Sequence, residues 1–411
     1  MLGLEHEAAV VAESRSEAGG ALDVCVVTET FPPEINGVTL TLGHLVSGLR
    51  ARGHRVSIVR PRQPAADPPG EPTDPAVTLV PGLALPGYAA VRFGLPAGAS
   101  LRRRWRRRRP DAVYVATEGP LGWSAVRACR RLRLPVLAGF HTNFHHYTRH
   151  YHLGWLEGVA RWYLRVLHNR AGGTVVATAA LRDQLHARGF RNVSVLGRGV
   201  SGDLFSPARR SASLRRAWGV SDRDVVALCV GRVAAEKNVR LAIATYRAMQ
   251  RAQPSCRLVI VGDGPLRRAL ERAHPDLFFC GMLTGEPLAA HFASADVFLF
   301  PSETETFGNV TLEALASGLA VVAYDYAAAR EHVRPGRTGA LVALGDAAGF
   351  LSAATALARS PETLRWMGAE AGASVQALGW DRVVDRFVAL LVGVARSASG
   401  GAARTGERSS R

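Results

Sequence analysis

The sequence predicts an α/β protein made of two doubly wound domains, each on a parallel sheet. Three observations carry this. The chain has 411 residues, more than one ordinary core organises, so two domains of roughly 200 residues follow. Short apolar runs rich in Val and Phe alternate with helical segments of roughly 10 to 15 residues, which is the pattern of βαβ units. The alternation occurs twice, once in each half. With 47% hydrophobic and 21% charged residues, the composition is that of a folded protein.

The first half opens on the strand "LDVCVVT", Leu22–Thr28. The loop "ETFPPEINGV" follows. Val38, Leu42, Leu45, Val46 and Leu49 then recur at helical spacing. "RGHRVSIVRP" stops this helix and begins a second strand, with Gly53 where a helix end favours glycine. Further strands are expected at "DAVYVA" (Asp111–Ala116) and "PVLAGF" (Pro135–Phe140). After a loose stretch at about Val200–Asp224, the second half begins on "VVALCVG", Val225–Gly231. A helix over Val239–Ala252 leads to the strand "RLVIVGDG", Arg257–Gly264. "DLFFCG", "DVFLFPS", a helix after Gly308 and "LAVVAYD" complete the unit. A last helix over Trp380–Arg396 has Val383, Val384, Phe387, Leu390 and Leu391 on one face. The expected division is a disordered segment 1–20, a first domain 21–205 and a second domain 206–379. A helix 380–396 packs back on the first domain, and a disordered tail 397–411 follows. Ligands of such folds bind beyond the carboxyl ends of the strands, so two facing domains would hold the site in a cleft between them.

Composition narrows the setting. The cysteines, Cys25, Cys129, Cys229, Cys256 and Cys280, are odd in number, scattered and mostly inside apolar runs. They read as reduced core thiols, and the expected compartment is the cytoplasm. Glu5, Glu7 and Glu13 stand where a secretory signal would be basic. No stretch approaches the roughly 18 uninterrupted apolar residues that span a bilayer. The formal net charge is +17. Seven arginines surround Trp105 in "RRRWRRRRP", Arg102–Pro110. Such a run suits peripheral contact with an anionic membrane on its inner face, or nucleic acid, or no more than a solvated helix face. No nucleic-acid-binding motif accompanies it, so nucleic acid is not an expected partner.

Two motifs carry chemistry. "GRVAAEKN", Gly231–Asn238, contains the sole lysine among 51 basic residues, Lys237. Either one codon survived an arginine-rich composition, or this position needs a compact ammonium where a planar fork does not fit. Arg232 and Lys237 fall between a strand and a helix, where free N–H groups add positive potential suited to a diphosphate. "PSETETFGNVTLEALASG" runs from strand through turn to helix. Glu305 precedes the helix and Glu313 lies inside it; a carboxylate such as Glu313 accepts well from two ribose hydroxyls. Phe307 and Gly308 form the turn, and the N–H groups of Asn309 and Val310 belong to the unpaired first turn.

These strings, with "VGDGP", "TFPPEINGV" and "FHTNF", resemble the retaining glycosyltransferases of family four, which have the GT-B fold. The resemblance covers about Leu22–Arg396. It implies that Arg232 and Lys237 bind the donor diphosphate, Glu313 the ribose and Glu305 the transferred sugar. It implies that the backbone of Phe307–Val310 meets phosphate and sugar, that Gly37 lets the first loop approach the diphosphate, and that backbone at Cys280–Leu283, with Met282, frames the base. His141 would sit beside the sugar and the bond being made.

The leaving group is then a nucleoside diphosphate, and fixed positive charge stabilises it without a metal. The only Asp-x-Asp string, Asp222–Asp224, precedes a strand and reads as a turn. No carboxylate nucleophile stands out for a double displacement, so same-face substitution is favoured, as the family implies. His141 and His145 have i, i+4 spacing, but no acidic or cysteine ligand joins them or His146, His150 and His152. No metal or other cofactor is expected. The resemblance is strongest to GDP-mannose-dependent α-mannosyltransferases acting on lipid or lipid-linked acceptors. A UDP-sugar-dependent diacylglycerol glycosyltransferase is the alternative, and a sugar-nucleotide epimerase of the same fold is a more remote one.

Overall fold

The computed structural model describes residues 20–406 apart from 33, 35, 64–66, 68–73, 86–87 and 142–153. The expected disordered segment 1–20 therefore lies, save for its last residue, outside the described residues. The chain forms two compact units. One joins the chain up to Arg198 with the segment from Trp380 onward; the other is Gly199–Gly379. The division falls a few residues before the expected 205/206. Residues 199–205 go with the second unit, where the Val200 N–H donates to the Leu378 carbonyl at 2.8 Å.

In the first unit the elements are β1 (Asp23–Val27), α1 (Gly37–Ala51), β2 (Arg55–Pro61), β3 (Val77–Val80), β4 (Gly82–Leu85), β5 (Tyr88–Gly94), α2 (Gly98–Arg107) and β6 (Ala112–Val115). Then come α3 (Pro120–Leu132), β7 (Val136–Gly139), α4 (Gly154–His168), β8 (Gly173–Val176), α5 (Ala179–Ala187) and β9 (Val193–Val195). Seven strands make a parallel sheet in the order β3-β2-β1-β6-β7-β8-β9, and β4 and β5 pair as an antiparallel hairpin. Side chains alternate across the strands. Val24 and Val26 of β1 face one core cluster, Cys25 and Val27 the other.

The second unit contains α6 (Ala212–Ala217), β10 (Val226–Val230), α7 (Val239–Ala252), β11 (Arg257–Val261), α8 (Arg267–Ala273), β12 (Phe278–Phe279) and α9 (Gly285–Ser294). It continues with β13 (Val297–Phe300), α10 (Asn309–Ala316), β14 (Ala320–Tyr324), α11 (Ala327–His332), β15 (Gly339–Val342), α12 (Ala347–Ala358) and α13 (Pro361–Val375). Its six-stranded parallel sheet runs β12-β11-β10-β13-β14-β15. In each sheet the strand order reverses beside the first strand, at β1/β6 and β10/β13. Loops diverge there, and the crevice they leave is where doubly wound sheets bind ligands.

The last helix, α14 (Trp380–Gly406), returns to the first unit. Val384, Phe387 and Leu391 are buried within the core cluster that also holds Val24, Leu45 and Tyr114. Gly48 of α1 permits the approach, since a Cβ there would overlap the Val384 side chain. The helix continues to Gly406, although an unstructured tail was expected from residue 397. A helix already nucleated gains one bond for each further residue, which carries it past the end of its apolar face.

Within the arginine run, Trp105 departs from the surface reading while most of the arginines keep to it. Leu101 and Trp105 are 1% and 3% exposed and pack under the sheet. Trp105 is thus a core anchor and not a membrane-facing aromatic, while Arg103, Arg104 and Arg106–Arg109 are exposed. Among the described residues, no helix is long and apolar enough to cross a membrane. The cysteines are free; four are buried and Cys280 is half-buried.

Candidate active site

In the second unit the groups singled out in the sequence gather at the β10/β13 switch point. The chain leaves β10 at Gly231 and forms a short turn over Ala235–Lys237 before α7. Gly262 and Gly264 carry the loop after β11 against this segment at φ +140° and +158°. A Cβ on Gly262 would fall on the Gly231 carbonyl, and one on Gly264 within 2.5 Å of the Val233 oxygen. The "VGDGP" glycines are therefore packing residues that hold two neighbouring loops together.

The loop after β13 is tied to the same turn. The Lys237 ammonium donates to Glu305 Oε1 and pairs with it. The Asn238 amide donates to Glu303 Oε1 at 3.3 Å, and the Glu303 N–H to the Glu236 carbonyl at 3.3 Å. Arg232 lies on the same loop but points elsewhere. Its guanidinium is 3.6 Å from Glu236 and 46% exposed.

Gly308 ends the loop at φ +91° and begins α10. The left-handed region and a Cβ position only 3.2 Å from the Phe300 ring both call for glycine. Phe307 is buried, and its carbonyl accepts from the Ala328 N–H at 2.9 Å. No side chain caps α10. The N–H groups of Asn309 and Val310 have no acceptor among the described residues, so the helix end presents free donors. Glu313 lies on the next turn of α10, and burial pushes its carboxyl up to about 7. Met282 follows Gly281 beyond β12 and is 51% exposed.

In the first unit the corresponding switch point is built from groups that sequence reasoning mostly missed. His141 follows β7. Its ring meets Tyr114 Oη at 3.4 Å through Nε2 and Arg198 Nη2 at 3.4 Å through Nδ1. Its backbone N–H donates to Glu118 Oε1 at 3.1 Å. Gly139 makes room, since a Cβ there would stand 2.5 Å from Tyr114 Oη and 2.7 Å from His141 Nε2. Burial first, and the Arg198 charge second, pull the imidazole down to about 4 despite Glu118. A guanidinium can only donate, so Nδ1 accepts from it and the ring hydrogen sits on Nε2.

Glu118 is itself held. Burial alone would raise its carboxyl, but His168, 3.7 Å away, and His141 outweigh that and keep it low. Glu29 accepts from the Leu121 N–H at 3.0 Å at the start of α3, and burial pushes it up to about 7. Gly37 is the first residue of α1 and exposed, behind the Asn36 cap whose Oδ1 accepts from the Thr39 N–H at 2.9 Å. Glu29, Glu118 and Arg198 carry one sequence signal that could have found them: charged residues at or near the carboxyl ends of otherwise apolar strands.

His145, His146, His150 and His152 lie outside the described residues. Among the described residues no three His, Cys, Asp or Glu side chains converge as a metal site. The Asp222–Asp224 string is a turn. Asp224 accepts from the Ser221 N–H and hydroxyl at 2.7 Å, and Asp222 lies 3.7 Å from buried Arg215.

Residues 35–204 match the family model described as Glycosyltransferase Family 4, and residues 224–360 the one described as Glycosyl transferases group 1. The chain is 35% identical over 369 residues to a GDP-mannose-dependent alpha-mannosyltransferase of Mycolicibacterium smegmatis, covering 89% of this chain and 96% of that one. It is 26% identical over 317 residues to an alpha-monoglucosyldiacylglycerol synthase of Acholeplasma laidlawii, covering 72% and 79% of the two chains. Among solved structures it resembles sucrose-phosphate synthase from Thermosynechococcus elongatus. The TM-score is 0.75 at 19% identity, over 91% of this chain and all of that one, a likeness of GT-B fold.

Proposed function

This chain belongs to glycosyltransferase family 4, and from that premise we propose that it is a retaining α-mannosyltransferase. Its donor is GDP-mannose, and its acceptor is a lipid, lipid-linked or glycan hydroxyl in cell-envelope synthesis. Identity of 35% along nearly the whole length of a GDP-mannose-dependent relative supports the donor. The observation that carries the chemistry is the pairing of Lys237 with Glu305 beside the open amino end of α10. That arrangement puts an ammonium and a carboxylate beside the free N–H donors, with Glu305 Cγ 3.6 Å from a Cβ position at Gly308.

In this reading the donor diphosphate lies against Lys237 and the first turn of α10, with Arg232 swinging in from solvent. Gly37 lets the first loop come close to the same diphosphate. Glu313 accepts from the ribose hydroxyls, and Met282 and its neighbours border the base. Glu305 accepts from hydroxyls of the transferred sugar and holds the ammonium in place. His141, neutral at physiological pH, donates from Nε2 to the sugar. The C1–O bond to the diphosphate breaks as the acceptor hydroxyl attacks the same face, and the acceptor proton passes to a donor phosphate oxygen. The negative charge that develops is on phosphate, where the fixed positive groups act, and no metal is required.

The second reading, a UDP-sugar-dependent diacylglycerol glycosyltransferase, is supported by the likeness to the glucosyldiacylglycerol enzyme. A panel of GDP- and UDP-sugars, scored by thermal shift and by transfer to lipid extracts, separates the two. GDP-mannose should raise the Tm most and be consumed; a response to UDP-glucose alone would move the assignment to the second reading. We place the enzyme in the cytoplasm, touching the anionic inner membrane face through Arg102–Arg109. Charge removal in that run should weaken sedimentation with anionic vesicles, and unchanged sedimentation would overturn the contact.

A further inference from the structure

A cavity of about 950 Å³ opens in the first unit, at the opposite sheet edge from His141, Glu118 and Gly37. It sits at the amino-terminal ends of the strands. Asp23 begins β1, Arg55 begins β2 and Pro110 leads into β6. His141, Glu118 and Gly37 belong to the opposite, carboxyl-terminal edge. The five residues of β1 separate the two edges by roughly 16 Å. The donor and sugar contacts proposed above use none of its residues, while the proposed membrane contact shares the arginines of its α2 wall.

Its wall is set by helix geometry. Leu101 and Trp105 anchor α2 to the core. That anchoring brings Ser100, Arg103, Arg104, Arg107 and Arg108, which recur at helical spacing, to the cavity. Arg50 and Arg55 line it from the other side. Six guanidinium groups thus meet two carboxylates, Asp23 and Asp74. Arg108 and Arg55 share Asp23 at 3.0 and 3.4 Å, and Arg50 pairs with Asp74 at 3.1 Å. The side chains of Arg103, Arg104 and Arg107 make no ion pair or hydrogen bond among the described residues. Among the described residues their charges are gathered on one wall, with Asp23 and Asp74 as the two carboxylates of the cavity lining. Guanidinium groups present paired donors at the spacing of phosphate oxygens, and crowding them raises the potential that draws such an anion in.

We propose that this cavity binds a compact, multiply phosphorylated anion, a ligand site distinct from that of the donor. The ligand is either a soluble polyphosphate-type metabolite or the phosphate headgroup of a membrane lipid. The chemistry is shared, and the source is left to the experiment.

The test is calorimetric titration of the full-length chain with sodium tripolyphosphate. The donor site also favours diphosphates, so titration is done in an R232Q/K237Q background. One tripolyphosphate site should remain there, weakening as salt rises. Adding R104Q/R107Q, exposed positions whose loss leaves the core untouched, should weaken it roughly tenfold or more. A Tm within the range of the parent confirms that these variants are folded. Absence of any site in the R232Q/K237Q chain, or a site indifferent to R104Q/R107Q, overturns the proposal.

Vesicles of phosphatidylcholine with and without phosphatidic acid then identify the source. If it is a lipid headgroup, the chain sediments with the acidic vesicles, is released by tripolyphosphate, and is not retained when R104Q/R107Q are present. If it is a soluble anion, tripolyphosphate still titrates while the chain stays off the vesicles. The variants lie at the far edge of the sheet from Gly37 and His141, so failure here leaves the glycosyl-transfer reading standing.

Discussion

The lone lysine is where residue chemistry is most exposed. Fifty of the 51 basic residues are arginines, yet position 237 holds an ammonium against the Glu305 carboxylate. An ammonium is a compact point charge, whereas a guanidinium is a rigid planar fork that would need to displace Glu305 or the turn at Ala235. Lys237→Arg should therefore lower kcat/KM with GDP-mannose by roughly tenfold or more while the Tm stays near the parent's. Near-normal turnover would return the lysine to compositional chance. Glu313 gives a second expectation. Its carboxyl is raised from about 4.5 to about 7, so the folded chain holds that proton more tightly than the unfolded chain. The resulting stability is complete below about 4.5 and is lost as pH rises through about 7. In the proposed ribose contact the ionised form is the stronger acceptor for both hydroxyls. Across neutral pH the Tm should thus fall while donor affinity rises, and Glu313→Gln should flatten the affinity profile. An unchanged profile in that variant would remove Glu313 from the ribose.

At the scale of elements, loops and helix ends decide the site. Gly308 ends the β13 loop in the left-handed region with the Phe300 ring close by. Gly308→Ala should cost about 1 to 2 kcal/mol of stability from the backbone conformation. It should also raise KM for the donor, because it displaces the free N–H groups of α10; urea unfolding and donor titration would measure the two effects. The loop glycines after β11 act differently. They let two backbones touch, so Gly262→Ala should destabilise the second unit more than Gly308→Ala does. Elements also explain where pattern reading succeeded. Val239–Ala252 was legible to the residue because its apolar period is helical and the αL Asn238 interrupts the preceding turn. The β4–β5 hairpin was not, since β4 is only four residues long and neither strand alternates apolar with polar residues.

At the scale of the molecule, the chain returns to where it began. Helix α14 closes the first core through Phe387, which is fully buried and packs edge-on against Tyr114 at 4.9 Å. Phe387→Ala should cost about 3 to 5 kcal/mol, read as a lowered midpoint in urea. A loss well below 1 kcal/mol would mean that the helix is dispensable to that core. Tyr114 also touches His141, so the same variant tests whether core and site are mechanically linked: His141-dependent activity should fall in folded protein.

What the sequence determined by itself was the two-fold βαβ alternation, the strand-to-helix loops at Gly231–Asn238 and Pro301–Gly318, and the residue types that a diphosphate and a sugar require. These are local facts, written in apolar period and in the residues just past a strand. Tertiary structure alone decided that Lys237 meets Glu305 while Arg232 turns to Glu236 and solvent. It also decided that Trp105 is core rather than surface, and that Glu118, Tyr114 and Arg198 surround His141. Each of those contacts joins residues from different strands or loops. Spacing along the chain carries no record of which loops a parallel sheet will set side by side.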